Sequence, residues 1–171
     1  RTNVLRLYGT LKKSPDQIVY YDPGVGTIGA ENAWLWIWRK ATELWGQVTG
    51  WGLDQNVKEA YRFLVENYDN GQRDGEQRVE RDRIYIFGFS RGAYSARVLA
   101  GFIRAVGLLE KRNLNLVDYA YRAYKRIGEG KEDTFAEVRL YERLLDTDRP
   151  PIRLLGLFDT VASVFEHGRY G

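Results

Sequence analysis

Short apolar runs alternate with amphipathic stretches along the chain, the pattern of an α/β fold. Thr2 predicts the N-cap of a short helix carrying Val4, Leu5, Tyr8 and Leu11. Gln17-Ile18-Val19-Tyr20-Tyr21 is β-branched and aromatic and runs into Asp22-Pro23-Gly24, which predicts a buried strand ending in a tight loop. Trp34, Ile37, Trp38, Ala41 and Trp45 recur on one helical face, predicting an inserted helix and then a Gly-punctuated loop within 31–51. Asp54 predicts the cap of a further helix, with Val57, Ala60, Tyr61, Leu64 and Tyr68 as its stripe. Residues 69–83 are polar and contain Asn70-Gly71 and Asp74-Gly75, an exposed loop. A strand over 84–87 follows, then a helix over 92–109 with Ala93, Ala96, Ala100 and Ile103 facing inward. Helices are predicted over 114–127 and 135–145, the second opened by the Thr134/Glu137 capping box. After Arg149-Pro150-Pro151, Ile152 to Phe158 reads as a third strand ending at Asp159-Thr160.

Composition narrows the chemistry. The 171 residues are 44% hydrophobic and 29% charged, enough for one domain with a core, and no apolar run approaches a spanning helix. With Cys 0 and His 1, disulfide scaffolds, thiolate metal sites, cysteine nucleophiles and multi-histidine centres built from this chain alone are excluded. The formal net charge of +3 comes from intermixed basic and acidic residues, so no nucleic-acid face is expected. Met is 0 and no signal segment is visible, so the expectation is one soluble domain over 1–171, incomplete at both ends, with its compartment left open. The inserts are expected at 31–51 and 110–149.

Gly88-Phe89-Ser90-Arg91-Gly92 lies between a predicted strand and a predicted helix, the pattern of a nucleophile elbow. A serine at so sharp a turn is held in strained backbone geometry with its hydroxyl exposed above the sheet edge. Small residues two positions before and after it let strand and helix approach. The helix N-terminus directs partial positive charge at an oxyanion beside Ser90, and the Arg91 N–H is the natural first donor. The alternative is a Gly-rich β–α turn with an N-capping serine. A serine nucleophile needs a base, and the base an orienting acid. Asp159, at the end of the third predicted strand, is the best-placed acid, with a simple strand-closing turn as its alternative. His167 is the one histidine of the sequence, and nothing around it marks it as a base rather than a surface residue. If Ser90 is catalytic, the expected base lies outside these residues.

Gly24-Val25-Gly26-Thr27-Ile28-Gly29 matches G-x-G-x-x-G after a predicted strand, but no acid ends a second strand about 20 residues on, as a dinucleotide site requires. Two readings stand: a strand-end loop giving Ser90 a second oxyanion donor from Gly24 or Val25, or a plain tight turn.

Three blocks, Tyr20 to Thr27, Gly88 to Arg97 and Gly156 to Ser163, together with Thr2-Asn3-Val4, resemble the signatures of a bacterial α/β-hydrolase-like family that includes antibacterial phospholipase effectors of the type VI secretion system. The resemblance implies a mostly parallel sheet flanked by helices and a Ser–Asp–His esterase or lipase. Ser90 would be its nucleophile and Asp159 its acid, and it needs neither cofactor nor metal. It also implies a first strand with an Asp-Gly-Thr motif before Arg1 and a histidine after Gly171. In that setting the Trp-rich insert suits a lid, an acyl-pocket wall or a contact with a membrane surface; covering a sheet edge or filling a core is the simpler account. The rival function is a non-catalytic binding module on the same fold.

Overall fold

The computed structural model describes residues 2–23, 49–71, 80–128, 139 and 147–158. Two strands, β1 (Ile84–Phe89) and β2 (Ile152–Phe158), pair in parallel. One irregularity just after Ile84 brings Tyr85 opposite Leu154, and the strands then run in step to Phe89 opposite Phe158. Alternation along β1 buries Ile84, Ile86 and Gly88 on one face and leaves Tyr85 exposed on the other. At Gly156 a Cβ would stand 2.5 Å from Cδ1 of Phe87, so the glycine leaves room for that ring against β2.

The other named elements are helical. They are α1 (Asn3–Thr10), α2 (Thr49–Asn67), α3 (Arg91–Val106), a 3₁₀ turn (Lys111–Leu116) and α4 (Val117–Gly128). α3 packs on both strands, and α2 and α4 pack on α3. The core joins Val57, Tyr61 and Val65 of α2 with Ile84 and Ile86 of β1 and Leu99, Phe102, Ile103 and Val106 of α3. Phe102 is fully buried, with the rings of Tyr61, Tyr121 and Tyr124 at 4.5, 5.2 and 5.4 Å. The Tyr61 hydroxyl donates to the Gly107 carbonyl at 2.7 Å and accepts from the Leu109 N–H at 3.0 Å, which satisfies a polar group in the apolar interior. α3 stops at Gly107 (φ 89°), a left-handed position that favours glycine. The chain leaving it is strapped by the Leu108 N–H to Asp148 C=O bond (2.6 Å) and its reciprocal (3.1 Å) to the segment that leads into β2.

Both strands fall where the apolar runs predict them, and the Thr2 hydroxyl caps α1 by accepting from the Leu5 N–H at 3.2 Å. Three expectations change. Residues 17–21 form no strand: Gln17 makes an isolated bridge to Ser14, and Ile18 is 57% exposed. The aromatic residues that suggest β structure are used in ring contacts instead, Tyr20 stacked on Phe63 at 5.0 Å and Tyr21 against Tyr8 at 4.8 Å. Asp54 caps no helix, because α2 already begins at Thr49 and runs through the predicted Gly-punctuated loop. The carboxylate of Asp54 is drawn into contacts with α4 instead. The predicted 114–127 helix is split between the 3₁₀ turn and α4. Of the 135–145 helix only residue 139 is described, and it is helical; Trp34, Trp36, Trp38 and Trp45 lie outside the described residues, and Trp51 falls within α2. No helix among the described residues is long and apolar enough to cross a membrane.

Candidate active site

The turn from β1 into α3 is built around Gly88 and Ser90. A Cβ at Gly88 would lie 2.3 Å from the carbonyl oxygen of Gly92 and 2.6 Å from Cα of Ala93. Strand and helix backbones therefore meet in the space a side chain would fill. At Gly92 itself an added Cβ meets nothing within 4 Å among the described residues. The two glycines of the motif thus differ: position 88 needs to be small, and position 92 supplies the backbone that makes it so.

Ser90 has φ 53° and ψ −120°, and is the one non-glycine with positive φ among the described residues. A conformation this sparsely populated persists only when neighbouring contacts over-determine it. They do so on both sides. The Ser90 N–H donates to the Phe158 carbonyl at 3.0 Å, continuing the β1–β2 ladder one residue past the strand. The Ser90 carbonyl accepts from the N–H groups of Ala93 (3.0 Å) and Tyr94 (3.3 Å), opening α3. Ser90 occupies the N-cap position, but its side chain makes no capping hydrogen bond and the residue is partly exposed. An ordinary capping serine sits in the β region and accepts from the first turn; this one does neither. The first turn of α3 holds no acidic residue to offset the positive end of the helix dipole.

Of the candidate site residues, Ser90 and Arg91 are placed, Arg91 as the first residue of α3. Asp159, His167, Gly24 and Val25 lie outside the described residues. The position that the sequence reading missed is Phe158, whose carbonyl anchors the Ser90 amide. No local signal marks it, because the contact depends on strand pairing and register. Among the described residues no cluster of three or more acidic or histidine side chains is arranged to hold a metal ion.

A second polar cluster joins α2 to α4. Lys58 Nζ donates to Asp118 Oδ1 at 2.6 Å, and Arg62 lies 3.3 Å from Oδ2. Asp54 accepts from the Tyr121 hydroxyl at 2.9 Å and from Lys125 at 2.7 Å. The hydrogen bond from Lys58 holds the Asp118 carboxyl below its usual range. Burial, reinforced by the Asp54 charge, pushes the Tyr121 phenol up. Helical spacing carries the signal for this cluster: Asp54, Lys58 and Arg62 at i, i+4 and i+8, facing Asp118, Arg122 and Lys125 at i, i+4 and i+7.

Residues 1–169 match the family model described as T6SS, phospholipase effector Tle1-like, catalytic domain. An uncharacterized protein of Saccharomyces cerevisiae is 36% identical over 178 residues, a match covering 95% of this chain and 24% of the yeast protein. The chain therefore spans about a quarter of the length of that curated relative, and the likeness reaches beyond the bacterial setting the signature blocks imply. No solved structure matches. The strand, the turn at Ser90, the helix behind it and the second strand all fall within the matched span, and the chain belongs to the Tle1-like phospholipase effector catalytic-domain family.

Proposed function

We propose that this protein is a serine hydrolase of the α/β-hydrolase type that cleaves carboxylic ester bonds in phospholipids, with Ser90 as nucleophile. The observation that carries this reading is the backbone of Ser90, locked at positive φ with its hydroxyl uncommitted to capping at the positive end of α3. Family membership supplies the substrate class.

In this mechanism Ser90 Oγ attacks the acyl carbonyl while its proton passes to a histidine base. The base is either His167 or a histidine from the rest of a longer protein. Asp159, one residue beyond the Phe158 carbonyl that holds the Ser90 amide, orients that base. The oxyanion is held by the Arg91 N–H and by the Gly24–Val25 loop, with the α3 dipole behind them. Collapse of the intermediate breaks the ester C–O bond, the alcohol leaves with the proton from the base, and water releases the acyl group by the reverse sequence.

The test is labelling of the full-length protein with a fluorophosphonate, which reacts with activated serines. Wild type and Ser95→Ala should label and Ser90→Ala should not, while Ser90→Ala loses roughly three to six orders of magnitude in phospholipid hydrolysis. A well-folded wild type that stays unlabelled would instead favour a non-catalytic binding module.

A further inference from the structure

The helices α2 and α4 run side by side with their charged stripes facing. The partners pair in opposite order along the two elements: Asp54 with Lys125, then Lys58 and Arg62 with Asp118. Between them lies an open groove lined by Lys58, Arg122 and Lys125 as well as Asp54, Asp118 and Tyr121. Among the described residues, four cations, Lys58, Arg62, Arg122 and Lys125, thus stand around two carboxylates, Asp54 and Asp118. Both carboxylates are already engaged by a lysine, and Asp54 also takes the Tyr121 hydroxyl. Depression of the Asp118 pKa accords with that cationic excess, since Arg62 and Arg122 both contribute to it behind the Lys58 hydrogen bond. Arg122 sits with its guanidinium 5.8 Å from the centre of the Tyr119 ring, and that ring is 57% exposed at the surface.

We propose that this groove is a binding site for a phosphoryl anion. Two walls of cations suit a tetrahedral group whose oxygens point several ways, and an arginine fork beside lysines is the usual chemistry of such sites. A carboxylate ligand would only repeat what Asp54 and Asp118 already provide. The site lies apart from Ser90 in the sequence and does not rest on the hydrolase reading. The phosphoryl group belongs either to free phosphate or to a lipid headgroup, and the two sources are separable.

The experiment uses full-length protein carrying Ser90→Ala, so that turnover is absent and the result is independent of catalysis. Binding of inorganic phosphate is measured by calorimetry. Binding to vesicles of phosphatidylcholine, with and without phosphatidylglycerol, is measured by flotation. Arg122→Ala is the test variant because Arg122 is exposed, and Arg104→Ala, exposed on α3 and outside the groove lining, is the control. Arg122→Ala should weaken binding about tenfold, and Arg104→Ala should leave it unchanged. Arg122-dependent binding of phosphate alone assigns the site to a soluble anion, and Arg122-dependent flotation only with phosphatidylglycerol assigns it to a headgroup. The proposal is overturned if wild-type groove residues bind neither, or if Arg122→Ala and Arg104→Ala bind alike.

Discussion

At Ser90 a side chain occupies backbone geometry that glycine adopts freely, at a cost of about 1–3 kcal/mol. That cost can be isolated by two substitutions that both remove the hydroxyl. Ser90→Gly relieves the strain and Ser90→Ala keeps it, so the glycine variant should be the more stable by about 1 kcal/mol in denaturant titrations. The two glycines flanking the turn should separate as sharply. Gly88→Ala forces a Cβ onto the Gly92 carbonyl and should destabilise by about 3 kcal/mol. Gly92→Ala places a Cβ that meets no described residue within 4 Å in the first turn of α3, so it should be neutral or stabilising by up to about 1 kcal/mol. Equal losses from the two alanines would contradict this account of the turn.

Among the elements, the two strands and α3 were legible because apolar runs bounded by glycine, proline and charge leave few other places for them, and the spacing of Gly88, Ser90 and Gly92 marked the turn. What was not legible depended on partners distant in sequence. Asp54 has the chemistry of a helix cap, yet Tyr121 and Lys125 of α4 claim its carboxylate and the helix runs through it. Residues 17–21 have β-forming side chains, but β propensity reflects packing on a neighbour, and for Tyr20 that neighbour is the Phe63 ring. Two interactions that join elements give measurable consequences. Tyr61→Phe leaves the Gly107 carbonyl and Leu109 N–H without their buried partner, and should cost about 1–3 kcal/mol by chemical denaturation. Asp118 titrates below its ordinary value of 3.8 when folded, so its contribution is complete above that value and is lost as pH falls through the folded pKa. Because the pair is partly exposed, the contribution is at most about 0.5 kcal/mol. The stability gap between wild type and Asp118→Asn should therefore be flat at neutral pH and close only in acid.

At the scale of the molecule, burial among the described residues is graded from the centre outward. Phe102, Ile103 and Val106 of α3 are essentially inaccessible, whereas α1 has no buried residue. Amide hydrogen exchange should be slowest in α3 and β1 and fastest in α1, and comparable protection of α1 and α3 would refute this gradient. The hydrogen bond from Ser90 to Phe158 has one more consequence. It ties the start of one helix to the last residue of a strand translated much later, across the entire crossover that a parallel pair requires. A growing polypeptide meets the ribosome exit at about 5–20 residues per second. For some seconds the nascent chain carries the serine without the carbonyl that fixes its amide. The turn at Ser90 therefore gains its last backbone anchor only once synthesis has passed the second strand, and a chain cut before Ile152 would hold this serine from the helix side alone.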